Sequence, residues 1–204
     1  MTTSDYLAPA AAVTGELRER GSRFLAVVAP AADEAAAQAV LAALAAEHAD
    51  ATHLCFAWRL GPPPARERSS DAGEPSGTAG VPILQVLRGR GLFDVVAVVV
   101  RWFGGVELGK GGLARAYAGA ARLAADLVPV ERRFARVELA LALPYERLGA
   151  VKRLVHPPEV ELAAERYGER VELVLSVRAD RAEELAAALA DLGVGAAAPR
   201  HGSA

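Results

Sequence analysis

The chain has 204 residues and a formal net charge of −2, with 52% hydrophobic and 24% charged residues. That balance excludes a disordered or fibrous chain, and the small negative charge argues against a non-specific nucleic-acid binder. A single cysteine, Cys55, suits a reducing compartment. With no basic-then-apolar leader at Met1–Asp5 and no apolar run near the roughly 20 residues of a membrane helix, a cytoplasmic location and no membrane partner are expected.

Val13–Leu17 and Ser22–Ala29 read as strands joined by a turn at Gly21. From Asp33 to His48, alanines with Val40, Leu41 and Leu44 at helical spacing predict a helix N-capped by Asp33. His53–Arg59 alternates as a strand does, with Leu54, Phe56 and Trp58 on one face and His53, Cys55 and Ala57 on the other. Gly61-Pro-Pro-Pro64 then opens a long polar loop that runs to Gly80. Pro82–Arg88 reads as a short helix with proline in its first turn. Val95–Val100 is an unbroken apolar block, the pattern of a strand covered on both faces. A second glycine loop, Phe103–Gly112, leads into a helix from Leu113 to about Leu127. A boundary at Val128-Pro-Val130 divides the chain into domains 1–129 and 130–204. Beyond it come a strand (Phe134–Leu143), a helix (Tyr145–His156), two strands (Val160–Tyr167 and Val171–Arg178) and a helix (Arg181–Leu192) with Asp180 as N-cap. With a last short strand around Val194–Ala198, this order is the βαββαβ of a ferredoxin-like domain.

The two glycine loops carry the candidate chemistry. Residues 66–122 hold a local charge of +3, leaving −5 elsewhere, which points to an anionic partner for that segment. In the first loop, Ser69–Gly80, glycines including Gly77 let a ligand approach the backbone, and Ser76 and Thr78 offer donors. Asp71 and Glu74 suit a cation, a base or a ribose hydroxyl better than a bare phosphate. In the second loop, Gly104-x4-Gly109-Lys110 matches most of a P-loop, yet Gly111 stands where a serine or threonine should bind Mg²⁺. What survives is a helix start offering the N–H groups of Gly111, Gly112 and Leu113 to an anion, with Gly105 in the loop and Arg101, Lys110 and Arg115 around it. Trp102 and Phe103 read as a stacking platform or as core. His53 and Cys55 share a face, but no further histidine falls in ligand spacing and no second cysteine exists. They read as packed residues rather than a catalytic pair or metal site, so no catalytic residue, metal or cofactor is assigned.

Asp71-Ala-Gly-Glu-Pro-Ser-Gly-Thr-Ala-Gly80, followed by Val98-Val-Val-Arg-Trp-Phe-Gly-Gly-Val-Glu-Leu-Gly-Lys-Gly-Gly-Leu-Ala-Arg-Ala-Tyr117, closely resembles the IMPACT family in its bacterial, YigZ-like branch. Thr52–Ala57 resembles the strand motif of that family, and the resemblance spans about residues 10 to 128. It implies an α+β chain: a ribosomal protein S5 domain 2-like fold followed by a ferredoxin-like domain, a pair similar to the last two domains of translocating elongation factors. It implies no established catalytic activity. Eukaryotic relatives act in translational control by blocking activation of a kinase that phosphorylates an initiation factor. Ala72 stands where the family is often acidic, and Glu107 and Lys110 replace other residue types, so any role for Lys110 rests on its position alone.

Three functions stay open. One is a translation-associated binding protein that grips RNA or the ribosome through the two loops. Another is a protein-binding translational regulator. The third is a Mg-dependent enzyme acting on a nucleotide or phosphorylated metabolite; the absent metal hydroxyl and the short second domain weigh against it.

Overall fold

The computed structural model describes residues 5–195 and 200–201. The chain divides into two compact units, one spanning Tyr6–Arg133 and the other starting at Phe134.

The first unit is built on a five-stranded sheet. Its strands are β2 (Val13–Glu19), β3 (Ser22–Pro30), β4 (His53–Leu60), β5 (Arg66–Ser70) and β6 (Val95–Trp102), following β1 (Asp5–Pro9). The order is β2-β3-β6-β4-β5, with every neighbouring pair antiparallel. The apolar block thus becomes the central strand. Val95, Ala97 and Val99 enter one core, and Val96, Val98 and Val100 enter the other. Helix α1 (Glu34–Glu47) covers the second face, and its N-cap Asp33 accepts from Ala36 N–H at 2.7 Å. Helices α2 (Gly80–Gly89) and α3 (Gly109–Leu127) cover the first. There α3 packs through Ala116, Ala120, Ala121 and Ala124, small side chains that admit close approach to the sheet.

Strand β7 (Val130–Phe134) pairs with β1 in a small ribbon. Buried Asp94 ties this ribbon to the sheet, accepting from Tyr6 Oη–H at 2.9 Å, Gly61 N–H at 2.9 Å and Arg133 Nη1 at 3.0 Å.

The second unit contains β8 (Arg136–Leu143), α4 (Tyr145–Lys152), β9 (Val160–Tyr167), β10 (Val171–Arg178), α5 (Ala182–Asp191) and β11 (Arg200–His201). Its sheet order is β11-β8-β10-β9, antiparallel throughout, which is the ferredoxin-like arrangement. Leu139, Leu141, Leu143, Leu173, Leu175 and Leu189 fill its core.

Several elements depart from the sequence expectation. The polar loop after Pro64 contains β5, an edge strand whose alternating Arg66, Glu67 and Arg68 gave no apolar face to read. The third helix starts at Gly109, not Leu113; the three glycines of its first turn are weak helix formers and left no helical signal to read. The helix expected to reach His156 ends at Lys152; a turn follows, and Pro157 bars helix at the residue before it. Asp180 does not cap α5: it lies in a 3₁₀ turn, Ala179–Arg181, and pairs with Arg178 at 2.7 Å. Of the strand expected around Val194–Ala198, residues 196–198 lie outside the described residues, and the pairing strand is β11.

Two glycines position the second loop. Gly104 lies so close to the turn between β2 and β3 that a Cβ there would sit 1.9 Å from the Gly21 carbonyl carbon. Gly109 opens α3 at φ +66°, a left-handed conformation that favours glycine. Gly104→Ala is therefore expected to lower stability by about 1–3 kcal/mol, the cost of overpacking a close backbone contact. A urea midpoint equal to that of the parent chain contradicts this packing account.

Candidate functional site

The first glycine loop folds around its own aspartate. Asp71 Oδ1 accepts from Ala79 N–H at 2.9 Å and Gly80 N–H at 2.8 Å, and Oδ2 accepts from Gly77 N–H at 2.8 Å. Asp71 thus caps the start of α2 from eight or nine residues upstream. Burial works to raise its pKa, but the three N–H donors together outweigh burial and hold the carboxyl below its ordinary value. The Thr78 hydroxyl likewise turns inward and donates to the Pro75 carbonyl at 2.6 Å.

Strand β4 anchors this loop from beneath. Cys55 Sγ donates to the Asp71 carbonyl at 3.0 Å, and His53 Nδ1 lies 3.0 Å from the Ala72 carbonyl. A carbonyl only accepts, so Nδ1 carries the hydrogen. Burial pushes the Cys55 thiol up to about 12, which leaves it protonated and unreactive.

Glu74 leaves the loop in the opposite direction and enters the protein. Its Oε1 accepts from the Tyr117 hydroxyl of α3 at 2.7 Å and pairs with Nη1 of Arg101, at the end of β6. The two side chains are only 3% and 6% exposed. Burial, chiefly, pushes the Tyr117 hydroxyl well above its usual value and keeps it a donor. Nη2 of Arg101 donates to the Ser22 hydroxyl at 3.3 Å, and Gly104 N–H donates to the same oxygen at 3.2 Å. His53 Nε2 stands 3.9 Å from Glu74 Oε1. One buried polar network thus joins both loops, α3 and the β2–β3 turn.

Beside this network the two loops meet. A pocket of about 350 Å³ is lined by Glu74 and Pro75 of the first loop, by Arg101, and by Phe103, Glu107, Leu108, Gly109 and Lys110 of the second, with Leu113 of α3. Phe103 is 48% exposed. The first turn of α3, Gly109-Lys110-Gly111-Gly112, has no side-chain cap. Across Leu108 lies a second cleft of about 270 Å³, lined by Leu17, Glu19, Arg20, Gly112 and Arg115.

The candidate residues therefore separate by position. Glu74, Arg101, Gly109 and Lys110 share the first pocket, and Gly112 and Arg115 line the second. A Cβ on Gly111 would meet Arg115 Nη1 at 3.4 Å, so that guanidinium lies back along the helix start. Asp71 and Thr78 are committed to the loop's own backbone, Gly104 to packing on Gly21, and Gly77 and Gly105 to turns at positive φ. Ser76 is exposed and lines neither cleft. Sequence reading did not single out Ser22, Tyr117 or Arg20. Ser22 and Tyr117 lie 79 and 43 residues from their partners Arg101 and Glu74, too far for any spacing rule.

Two outcomes check this geometry. Asp71 has a folded pKa below its unfolded value, so its stabilisation is present above the unfolded carboxylate pKa of about 4 and fades as pH falls through the folded pKa. Asp71→Asn is expected to lower the urea midpoint at pH 7 and to lose that penalty progressively below pH of about 4; a pH-independent difference contradicts the assignment. Cys55 is expected to resist thiol alkylation in the native chain and to react on unfolding, and rapid native labelling contradicts its burial.

Comparison with known proteins places the chain. The model of the Impact N-terminal domain matches residues 20–125, and that of the domain of unknown function DUF1949 matches residues 141–196. IMPACT family member YigZ of Escherichia coli (strain K12) is 36% identical over 192 residues, covering 93% of this chain and 94% of that protein. An IMPACT family member of Thermus thermophilus is 45% identical over 146 residues, covering 72% and 78% respectively. A crystal structure of a hypothetical protein superposes with a TM-score of 0.79 at 34% identity, covering 98% of this chain and 100% of the other. The chain belongs to the IMPACT family.

Proposed function

We propose that this chain is a translation-associated binding protein that contacts RNA, free or on the ribosome, through its two glycine-rich loops. The observation that carries the reading is the set of cations at the start of α3. Several cations have no carboxylate partner among the described residues, and three of them, Arg20, Lys110 and Arg115, gather here. All three line the clefts on either side of Leu108, next to an uncapped helix start. Free cations and free N–H groups of a helix terminus favour the same ligand, an anion. The exposed Phe103 ring beside them supplies the flat apolar face on which unpaired bases stack, so single-stranded RNA fits better than a small phosphorylated metabolite.

Exposed Phe103 and Val106 also support a second reading, a protein partner docked on the same loop. The Mg-dependent enzyme has less to rest on, since Asp71 commits its oxygens to backbone N–H groups. Among the described residues no group of three His, Cys, Asp or Glu side chains gathers at metal-binding distance.

Fluorescence anisotropy with a labelled single-stranded RNA tests the proposal. Affinity is expected to fall with salt, and Lys110→Glu combined with Arg115→Glu is expected to weaken binding and to flatten the salt slope. Absence of binding at low salt, or binding that the double variant leaves unchanged, contradicts the RNA reading and favours the protein partner.

A further inference from the structure

The two clefts differ in charge. Arg20 and Arg115 face a single acid, Glu19, in the cleft beyond Leu108. In the Phe103 pocket Arg101 and Lys110 are balanced by Glu74 and Glu107. The first combination favours a phosphate. The second repels a phosphate from its two carboxylates and instead suits a neutral group that carries both donors and acceptors.

We infer that the Phe103 pocket accepts a guanine base of the bound strand. The inference rests on the RNA reading of the same loops and adds the base that they select. Glu74 is the key. Its Oε1 is occupied by Tyr117 and Arg101, while Oε2 meets no protein donor among the described residues and is not among the buried unsatisfied atoms, so it keeps access to the pocket that Glu74 lines. A carboxylate oxygen only accepts, so the ligand must bring a donor. On the inner wall Arg101 Nε–H is buried without a partner, and Lys110 stands at the rim without an ion pair.

Guanine matches that arrangement. Its N1–H and N2–H₂ are adjacent donors on one edge, and its O6 and N7 are adjacent acceptors on the next, where lysine and arginine bind them. Adenine and cytosine place a ring acceptor next to the amino group, facing the carboxylate. Uracil flanks its one N–H with two carbonyls. The Phe103 ring gives the base its stacking face, and a volume of about 350 Å³ lies at the small end of the ligand range of roughly 300–1,000 Å³, room for one nucleotide rather than two. Phosphates of the same strand then lie over the start of α3 and reach Arg115 and Arg20 across Leu108.

Heptaribonucleotides of uridine with a central U, A, C or G, measured by anisotropy against the full-length chain, test the inference. The guanosine heptamer is expected to bind about tenfold more tightly than the others. Glu74→Gln is expected to remove that advantage. Because Glu74→Gln also disturbs a buried ion pair, Phe103→Ala provides a surface variant: it is expected to cost the guanosine heptamer about tenfold, with Phe103→Trp restoring binding. Equal, salt-dependent binding of all four heptamers overturns the guanine pocket and leaves the RNA reading standing, as does a preference for adenosine or cytidine. Binding of no heptamer overturns both.

Discussion

The buried pair between Glu74 and Arg101 holds the site together. Each residue comes from a different glycine loop or its root, and both side chains are largely buried while lining the pocket between the loops. Taking two charges out of water is costly, and their attraction offsets that cost only with close geometry and further hydrogen bonds. Tyr117 and Ser22 supply part of those bonds, leaving Glu74 Oε2 and Arg101 Nε–H without a protein partner among the described residues, and they bring α3 and the β2–β3 turn into the arrangement. Removing one partner from a buried pair typically costs about 3–5 kcal/mol, because it strands the other charge. The pocket between the loops includes both members of this pair in its lining, together with Pro75, Gly109 and Lys110.

The rest of the sheet serves that contact. Strand β6 is apolar on both faces until Arg101, so the guanidinium emerges where the two cores end. Its neighbours β3 and β4 bring Ser22 and His53 to the same end. The first loop returns over them because Asp71 binds three of its N–H groups and its carbonyl accepts from Cys55. Two carboxylates three residues apart in sequence thus have separate tasks. Asp71 shapes the loop, and Glu74 leaves it to meet Arg101.

Much of the fold was legible. Val95–Val100 announced a central strand, the alternation of His53–Arg59 assigned its faces, and Asp33 marked a helix start that it does cap. Strand β5 was not, since an edge strand of alternating charges buries no face and leaves no periodic signal. At the site, the position of the two loops was readable from glycine spacing and family resemblance. The direction of each side chain was not. Asp71 and Glu74 carry the same chemistry in sequence, and only the hydrogen bonds separate them. Arg101 read as one of the cations around an anion and is buried in a pair with Glu74; Phe103 read ambiguously and is half exposed. Ser22, Tyr117 and Arg20 reach the site from distant segments, where no local pattern points.

The proposed RNA-binding surface is made of the two loops and the start of α3. Backbone amide shifts of the ¹⁵N-labelled chain, followed during titration with single-stranded RNA, test it most directly. Shifts are expected to concentrate at Glu74–Gly77, Phe103–Gly112 and the turn around Arg20. Shifts confined to residues beyond Phe134, or none at RNA concentrations that saturate binding, would contradict it.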